Sequence, residues 1–380
     1  MQKVDDAGAD TPMKPPRVLF LGSAYAGHAT RFANLERRAR QDARIRPAFH
    51  RVTGWREGGM IERLPALSRG VRGRLRAVTE AAAFARFPRP DAVWTSVSEV
   101  LTPFLWAQLG PLRRPIVLDL DATRDQLEAM APAYFGHPPA HGLHRRLGRL
   151  QDRALFAAVT TFTPWSNWAA GGLRAAGVPS SRIRVIPPGV DLEAWRPTAK
   201  EPLDGRPLRA LFVGGDFVRK GGDLLVAAVS GPLAGRVEVD IVTRDEVAIG
   251  PAIRVHRAEP NSEEVRALYA HADLFVLPTR AECFGIATIE AMASGLPVIV
   301  SNIGGAPDIV DPGETGWLIQ PTAADLVAAL EAAVGDAGSR TAMGRRARAV
   351  AEERFDGRVN DERVVDTVLA ACGACGGPRG

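Results

Sequence analysis

Residues 272–305 read ADLFVLPTRAECFGIATIEAMASGLPVIVSNIGG. The opening ADLFVLP is a short apolar run ended by proline, the pattern of a strand buried on both faces of a sheet. A polar loop follows, and from Phe284 or Gly285 the apolar residues take helical spacing until Gly295-Leu-Pro interrupts it. LPVIVSN (296–302) then forms a second buried strand. Strand, loop, helix and strand in this order make one βαβ unit with parallel strands. Glu282 falls in the loop, and Glu290 lies about a turn and a half inside the helix. A carboxylate there can accept hydrogen bonds from vicinal hydroxyls, while the free amides of Phe284, Gly285 and Ile286 at the helix start suit an anion. Two glutamates around a helix start also occur on solvated faces, so the spacing alone leaves both readings open.

The alternation continues away from this unit. LRALFVGGDF (208–217), VEVDIVT (237–243) and IRVHRA (253–258) precede it, with helical patterns between them. An earlier series runs RVLFLG (17–22), the helical pattern Arg31–Arg40, DAVWTSV (91–97), the helix-like LTPFLWAQLG (101–110), PIVLDL (115–120) and AAVTTFTP (157–164). The proline-rich RIRVIPPGVDLEAWRP (182–197) separates the two series. The expected fold class is α/β, with two facing Rossmann-like doubly wound domains. The expected division is a disordered arm over 1–16, an N-terminal domain over 17–187, a linker over 188–207, a C-terminal domain over 208–360, and a C-terminal helix and flexible tail over 361–380. Ligands of open parallel sheets sit beyond the carboxyl ends of the strands, which places the chemistry in the cleft between the domains.

Composition narrows the function classes. The chain has 380 residues, 46% of them hydrophobic, yet no apolar run approaches the roughly 20 residues of a membrane span. Its opening MQKVDDAGAD does not resemble a signal peptide, so a cytoplasmic location is expected. Three cysteines are too few for a disulfide framework, and Cys372 with Cys375 lacks the partner ligands of a zinc site. The net charge of +5 conceals an asymmetry: residues 17–190 hold 26 Arg and no Lys against 12 acids, and 191–380 hold 20 basic against 28 acidic residues. Arg63, Arg69, Arg72, Arg74, Arg76, Arg86 and Arg89 fall within 27 residues, interleaved with Leu, Val, Ala and Phe. That stretch reads either as an Arg-rich solvated face or as basic, partly amphipathic helices facing an anionic membrane surface or a polyanionic glycan. No recognition motif accompanies the charge, so nucleic acid is not an expected partner.

Two glycine-rich loops compete as phosphate binders. GSAYAGHA (22–29) begins like a P-loop, but His28 and Ala29 occupy the places of the required Lys and Ser or Thr. Gly22, Ser23 and Gly27 therefore serve either a tight turn or a ligand close to the backbone. FVGGDFVRKGGDLL (212–225) places Gly214 and Gly215 at a strand end, with Arg219 and Lys220 just before a helix that begins near Gly222. Two cations beside a helix start suit a diphosphate. The spacing of His137, His141 and His144 is ligand-like, but prolines and a glycine make the segment a loop without a carboxylate or Cys partner nearby, and no metal is assigned to it.

Glu282-Cys-Phe-Gly-Ile-Ala-Thr-Ile-Glu290 matches the Glu-x7-Glu motif of retaining glycosyltransferase family 4, and residues 182–325 resemble that family through FVGG…RKGGDLL, VIPPGVDLEAW, ALYAHADLFVLPT and ASGLPVIVSNIGGAPDIVDPGETGWLI. The resemblance implies the GT-B architecture, in which a sugar passes from a nucleotide-sugar to an acceptor with retention of configuration. It implies Glu290 as the ribose ligand and Glu282 as the carboxylate facing the transferred sugar. The backbone from Phe284 through Gly285 and Ile286 to Ala287 would hold sugar and phosphate oxygens, and Lys220 would oppose the charge of the leaving diphosphate. Gly214 and Gly215 would border the phosphates. The N-terminal half resembles the family only in layout and would bind the acceptor, whether glycan, lipid-linked or small molecule. No metal or other cofactor is expected, because cations and helix starts already oppose the developing charge.

The resemblance breaks at two places. Gly215 stands where the family usually has Arg, with Arg219 as the candidate replacement. Asp121 stands where the family often has His, so it either meets the sugar or acceptor, or caps the segment that follows. A sugar-nucleotide epimerase or phosphorylase of the same architecture, and a non-catalytic nucleotide-sugar-binding subunit, are the alternative readings.

Overall fold

The computed structural model describes residues 14–23, 26–53, 56–65, 72, 75–76, 79–80, 90–97, 114–139, 141–199, 204–247 and 250–374. LTPFLWAQLG, Arg69, Arg74, Arg86, Arg89, Cys375 and residues 1–13 of the arm lie outside the described residues. Lys14 to Pro16 are described, and the Pro15 and Pro16 carbonyls accept hydrogen bonds from Arg46 at 2.7 and 2.8 Å.

The first domain runs β1 (Arg17–Ser23), α1 (Ala26–Arg40), β2 (Arg46–Val52), β3 (Ala92–Thr95), β4 (Ile116–Leu120), α2 (Arg124–Ala129), α3 (Ala131–Phe135), α4 (Gly142–Ala158), β5 (Thr161–Pro164) and α5 (Asn167–Ala175). Its described strands form one parallel sheet in the order β2-β1-β3-β4-β5. The second domain runs β6 (Leu208–Val213), α6 (Gly222–Ser230), β7 (Val237–Val242), β8 (Ile253–His256), α7 (Glu263–His271), β9 (Leu274–Leu277), α8 (Ile286–Ala293), β10 (Val298–Ser301), α9 (Ala306–Ile309), β11 (Gly316–Ile319), α10 (Ala323–Gly335) and α11 (Ala337–Arg354). Its sheet is also parallel, in the order β11-β10-β9-β6-β7-β8. Every residue of β3, β4, β9 and β10 is buried, which is why these strands read as apolar runs without alternation.

Both sheets are doubly wound, so each has a point where successive connections leave in opposite directions. That point lies between β1 and β3 in the first sheet and between β6 and β9 in the second. The loops after these four strands are therefore where the fold opens a ligand crevice.

The division expected from sequence assigns the C-terminal helix to neither domain. The last helix, α12 (Gly357–Ala374), returns to the N-terminal domain and packs against α1, β3, β4 and β5. Val364, Val365, Val368 and Ala371 bury themselves with Val18, Phe20, Phe32, Leu35 and Trp94, and Cys372 packs at the edge of this cluster. Inside it Arg31 donates to Asp361 at 2.8 Å. The chain thus crosses between domains twice, and the crossings lie side by side. The Val190 N–H donates to the Phe355 carbonyl and the Gly357 N–H to the Val190 carbonyl, each at 2.9 Å. A Cβ on Gly189 would stand 2.4 Å from the Gly357 Cα, so the contact is possible only without a side chain.

Candidate active site

At the C-terminal switch point the loop after β6 carries the cations. Lys220 folds across Gly214, where an added Cβ would stand 3.0 Å from Lys220 Cγ. Its ammonium pairs with Glu282, delivered by the loop after β9. Both side chains are largely shielded, at 16% and 12% exposure, and this raises the strength of the pair over a surface one. Arg219 is more heavily committed. It donates to Asp216 at 2.9 Å and to the Ala281 carbonyl at 2.8 Å, and its guanidinium lies 4.5 Å from the centre of the Tyr134 ring. Arg219 therefore ties the two loops together. A Cβ on Gly215 would meet nothing within 4 Å.

The second helix start lies beside the first loop. Gly285 caps α8 with φ of +102°, a left-handed conformation that favours glycine. Phe284 is buried and meets Trp165 of the other domain edge-on at 5.9 Å. Ile286 approaches Gly27, where an added Cβ would stand 3.1 Å from its Cδ1. The Ala287 carbonyl accepts from the Tyr269 hydroxyl at 3.2 Å, and the same hydroxyl reaches the Glu290 carboxyl at 3.3 Å. Glu290 is buried, and burial pushes its carboxyl up to about 8 against the opposing pull of the Tyr269 hydrogen bond.

The N-terminal switch point opens on a cavity of about 660 Å³ lined by Ser23, His28, Ser96, Asp121, Arg124 and Asp152, among others. Ser23 and Ser96, one from each side of the switch point, meet through the Ser23 N–H at 3.2 Å. The His28 Nε2 lies 3.3 Å from the Asp121 carboxylate, and the ring rests 4.5 Å from that of Trp165. Burial pushes Asp121 up, but the charge and hydrogen bond of His28 outweigh it and hold the carboxyl below its ordinary range. Asp121 does not cap the next helix: Thr123 occupies that position, with Gln126 accepting from the Thr123 N–H at 2.9 Å. Asp119, two residues earlier, is fully buried and accepts from Thr163 at 2.9 Å and Trp165 at 2.6 Å. Of the first glycine loop, Ser23 reaches the cavity, Gly22 makes room for the Phe32 ring, and Gly27 makes the domain contact.

Aromatic residues from the first domain cover the second. Tyr134 sits 3.6 Å from Cys283 Sγ in the loop between Glu282 and Phe284. Asn167 and the Trp168 N–H donate to Asp308 of α9, at 2.9 and 3.2 Å. Sequence reading did not single out Tyr134, Tyr269 or the pairing of His28 with Asp121. Tyr269 carried a signal, since it falls with Val265 on the buried face of α7. Tyr134 carried none, because the contact joins residues 149 apart.

Two of the basic-stretch residues turn inward: Arg76 grips Glu62 at 2.8 and 2.5 Å, and Arg72 donates to the Glu62 carbonyl at 2.5 Å. His137, His141 and His144 are exposed. Among the described residues no three or more His, Cys, Asp or Glu side chains are placed together to hold a metal. No described helix is long and apolar enough to cross a membrane.

Residues 244–350 match the family model of the glycosyl transferases group 1. A D-inositol 3-phosphate glycosyltransferase of Arthrobacter sp. (strain FB24) is 32% identical over 189 residues, 43% of this chain and 45% of that protein. The chain thus spans less than half the length of this curated relative. Among solved structures, the sucrose-phosphate synthase of Thermosynechococcus elongatus superposes with a TM-score of 0.75 at 18% identity, covering 94% of this chain and all of that one. Anabaena Alr3699/HepE in complex with UDP-glucose superposes with a TM-score of 0.67 at 16% identity, covering 93% of this chain and all of that one. Residues 244–350 thus resemble the group 1 glycosyl transferases, and the superpositions give the whole chain the two-domain GT-B fold.

Proposed function

We propose that this protein transfers a sugar from a nucleotide-sugar to an acceptor hydroxyl, with retention at the anomeric carbon and without a metal. The convergence of Lys220, Glu282, Glu290 and the starts of α6 and α8 on one switch point carries the reading. A diphosphate entering there exchanges with Glu282 for the Lys220 ammonium, which frees the Glu282 carboxylate toward the sugar. Glu290 then accepts from the ribose hydroxyls. As the bond from the anomeric carbon to the diphosphate breaks, charge grows on the leaving oxygen, where Lys220 and the helix-start amides oppose it. The acceptor oxygen bonds to the same carbon from the same face, and its proton passes to a phosphate oxygen. The acceptor occupies the cavity beside Asp121 and His28. A uridine diphosphate sugar is the first donor class to test, since a structural neighbour is complexed with UDP-glucose.

The second reading is a non-catalytic nucleotide-sugar-binding subunit. Gly215 and Asp121, at the two places where the resemblance breaks, favour it. Incubating the protein with a panel of nucleotide-sugars in EDTA, with the anomeric configuration followed by NMR, separates the readings. Slow hydrolysis or transfer with retention supports the enzyme, and inversion overturns retention. Loss of turnover on chelation with recovery on a divalent ion overturns the metal-free mechanism. Donor binding with no turnover under either condition supports the subunit.

A further inference from the structure

Helix α4 has an outward face that stands exposed among the described residues. Leu143, Leu147, Leu150 and Ala154 recur at spacings of four, three and four, which stacks them in one stripe. The leucines are 68%, 55% and 60% exposed, and they make up three of the nine large exposed apolar side chains among the described residues. The opposite face is buried: Gly148 packs against the Arg124 side chain and Leu155 enters the core of the N-terminal domain. A one-sided apolar stripe this exposed calls for a partner.

Charge identifies the partner. Arg146 and Arg153 project along one edge of the stripe, exposed, with no acidic partner among the described residues. Arg145 and Arg149 lie further round and reach Asp125 at 3.7 and 2.9 Å. A second copy of this chain packed antiparallel about a twofold axis would bring the same arginines to one side of the contact. A stripe of leucines edged by arginine instead has the character of an interfacial helix, with leucines among acyl chains and guanidinium groups at anionic headgroups. The inner side of the same helix supplies Gln151, Asp152 and Leu155 to the cavity wall, and exposed Phe135 stands on that wall too. We infer that α4 docks this protein on an anionic membrane surface and brings the N-terminal cavity to the headgroup layer. The assignment does not depend on the donor chemistry proposed above.

Sedimentation of the full chain with phosphatidylcholine vesicles, and with equimolar phosphatidylcholine and phosphatidylglycerol, tests it. The protein should pellet with the anionic vesicles alone, and less as salt rises. Changing Leu147 and Leu150 together to Ser, or Arg146 and Arg153 together to Glu, should each reduce the bound fraction at least about tenfold. These positions are exposed and lie outside the donor site, so circular dichroism and donor-induced thermal shift should match the parent. Equal pelleting with both vesicle types, pelleting with neither, or undiminished pelleting of the variants overturns the inference. A parent dimer in light scattering that the Leu variant dissociates, without vesicle binding, identifies a second copy as the occupant and also overturns it.

Discussion

The C-terminal switch point is built from charge already paired within the protein, with Lys220 on Glu282, whereas the N-terminal one opens on a cavity of about 660 Å³ where His28 holds Asp121. The first arrangement suits a ligand of fixed chemistry. A diphosphate can take over the Lys220 ammonium because it presents negative charge like the carboxylate it displaces, and more of it, and the shielded setting makes the exchange worth more than it would be in water. The cavity imposes less. Its charged lining is mixed and partly paired already, Arg124 with Asp152 and His28 with Asp121, and it stands beside two serines and an apolar wall of Leu118, Leu120, Leu127 and Leu155. The C-terminal switch point is organised by one largely shielded ion pair, and the N-terminal one by the walls of its cavity as much as by its charges.

If the contrast holds, the deepest loss comes from the charge that acts on the leaving group. Lys220→Ala should lower turnover on the order of 10²-fold, with a smaller change in donor affinity. Arg346→Ala, at a pair with Glu314 remote from the cleft, should change neither. A loss of donor affinity with turnover unchanged would show that Lys220 binds the ground state as tightly as the transition state.

Glu290 comes next, and pH resolves its role. Its carboxyl titrates near 8 in the free protein, raised by burial above an ordinary value of 4.5. Folding therefore favours the protonated form. The associated stability is fully present below about 4.5 and is lost as pH rises through 8. Accepting from ribose hydroxyls favours the carboxylate instead, so donor affinity should climb with pH and level off above 8. Glu290→Gln should flatten that profile, weaken donor binding by about 1.5–3 kcal/mol at pH 8, and abolish the loss of thermal stability between pH 4.5 and 8. Calorimetric titration and thermal melts across this range measure both. A parent affinity independent of pH would show that Glu290 stays protonated in the complex.

The same contrast governs how much the sequence discloses. Strand, loop and helix after β9 are consecutive in the chain, and Glu282, Phe284, Gly285 and Glu290 fall within nine residues, so local pattern and motif together expose them. The α/β class and both parallel sheets were legible from buried apolar runs. The N-terminal site is assembled from the ends of different strands, and no local pattern pairs His28 with Asp121, 93 positions apart. His28 appeared only as the residue that spoils a P-loop. The return of α12 was hidden for a related reason. Its apolar positions announce a buried face, but the Gly189 and Gly357 contact that steers it back is a close approach between distant backbones.

Asp121 and His28 provide the intermediate effect. Asp121→Asn should raise the acceptor KM or lower transfer about tenfold, leaving donor hydrolysis within about twofold of the parent. His28 keeps the Asp121 carboxyl below its usual range, so transfer that needs the carboxylate fails as pH falls through that depressed value. In His28→Asn the burial of Asp121 loses its compensation, and the acidic limb of the transfer profile should move to higher pH. An unmoved limb would assign the limb to another group and leave His28 a packing partner of Trp165.

The smallest change tests whether the C-terminal site is complete as it stands. Gly215 occupies a place where the resemblance leads one to expect arginine, and nothing lies within 4 Å of where its Cβ would be. Arg219 cannot simply stand in for the missing charge, because Asp216, the Ala281 carbonyl and the Tyr134 ring already hold it. A guanidinium added at 215 therefore meets open space and adds to the positive field at the start of α6. Gly215→Arg should tighten donor binding by about fivefold at low salt, with the gain shrinking as salt rises. Gly215→Ala should leave affinity unchanged, which separates charge from any stiffening of the loop. If Gly215→Arg weakens the donor instead, the open space beside Gly215 is where part of the donor itself lies, and the absence of a side chain there would be a requirement of binding.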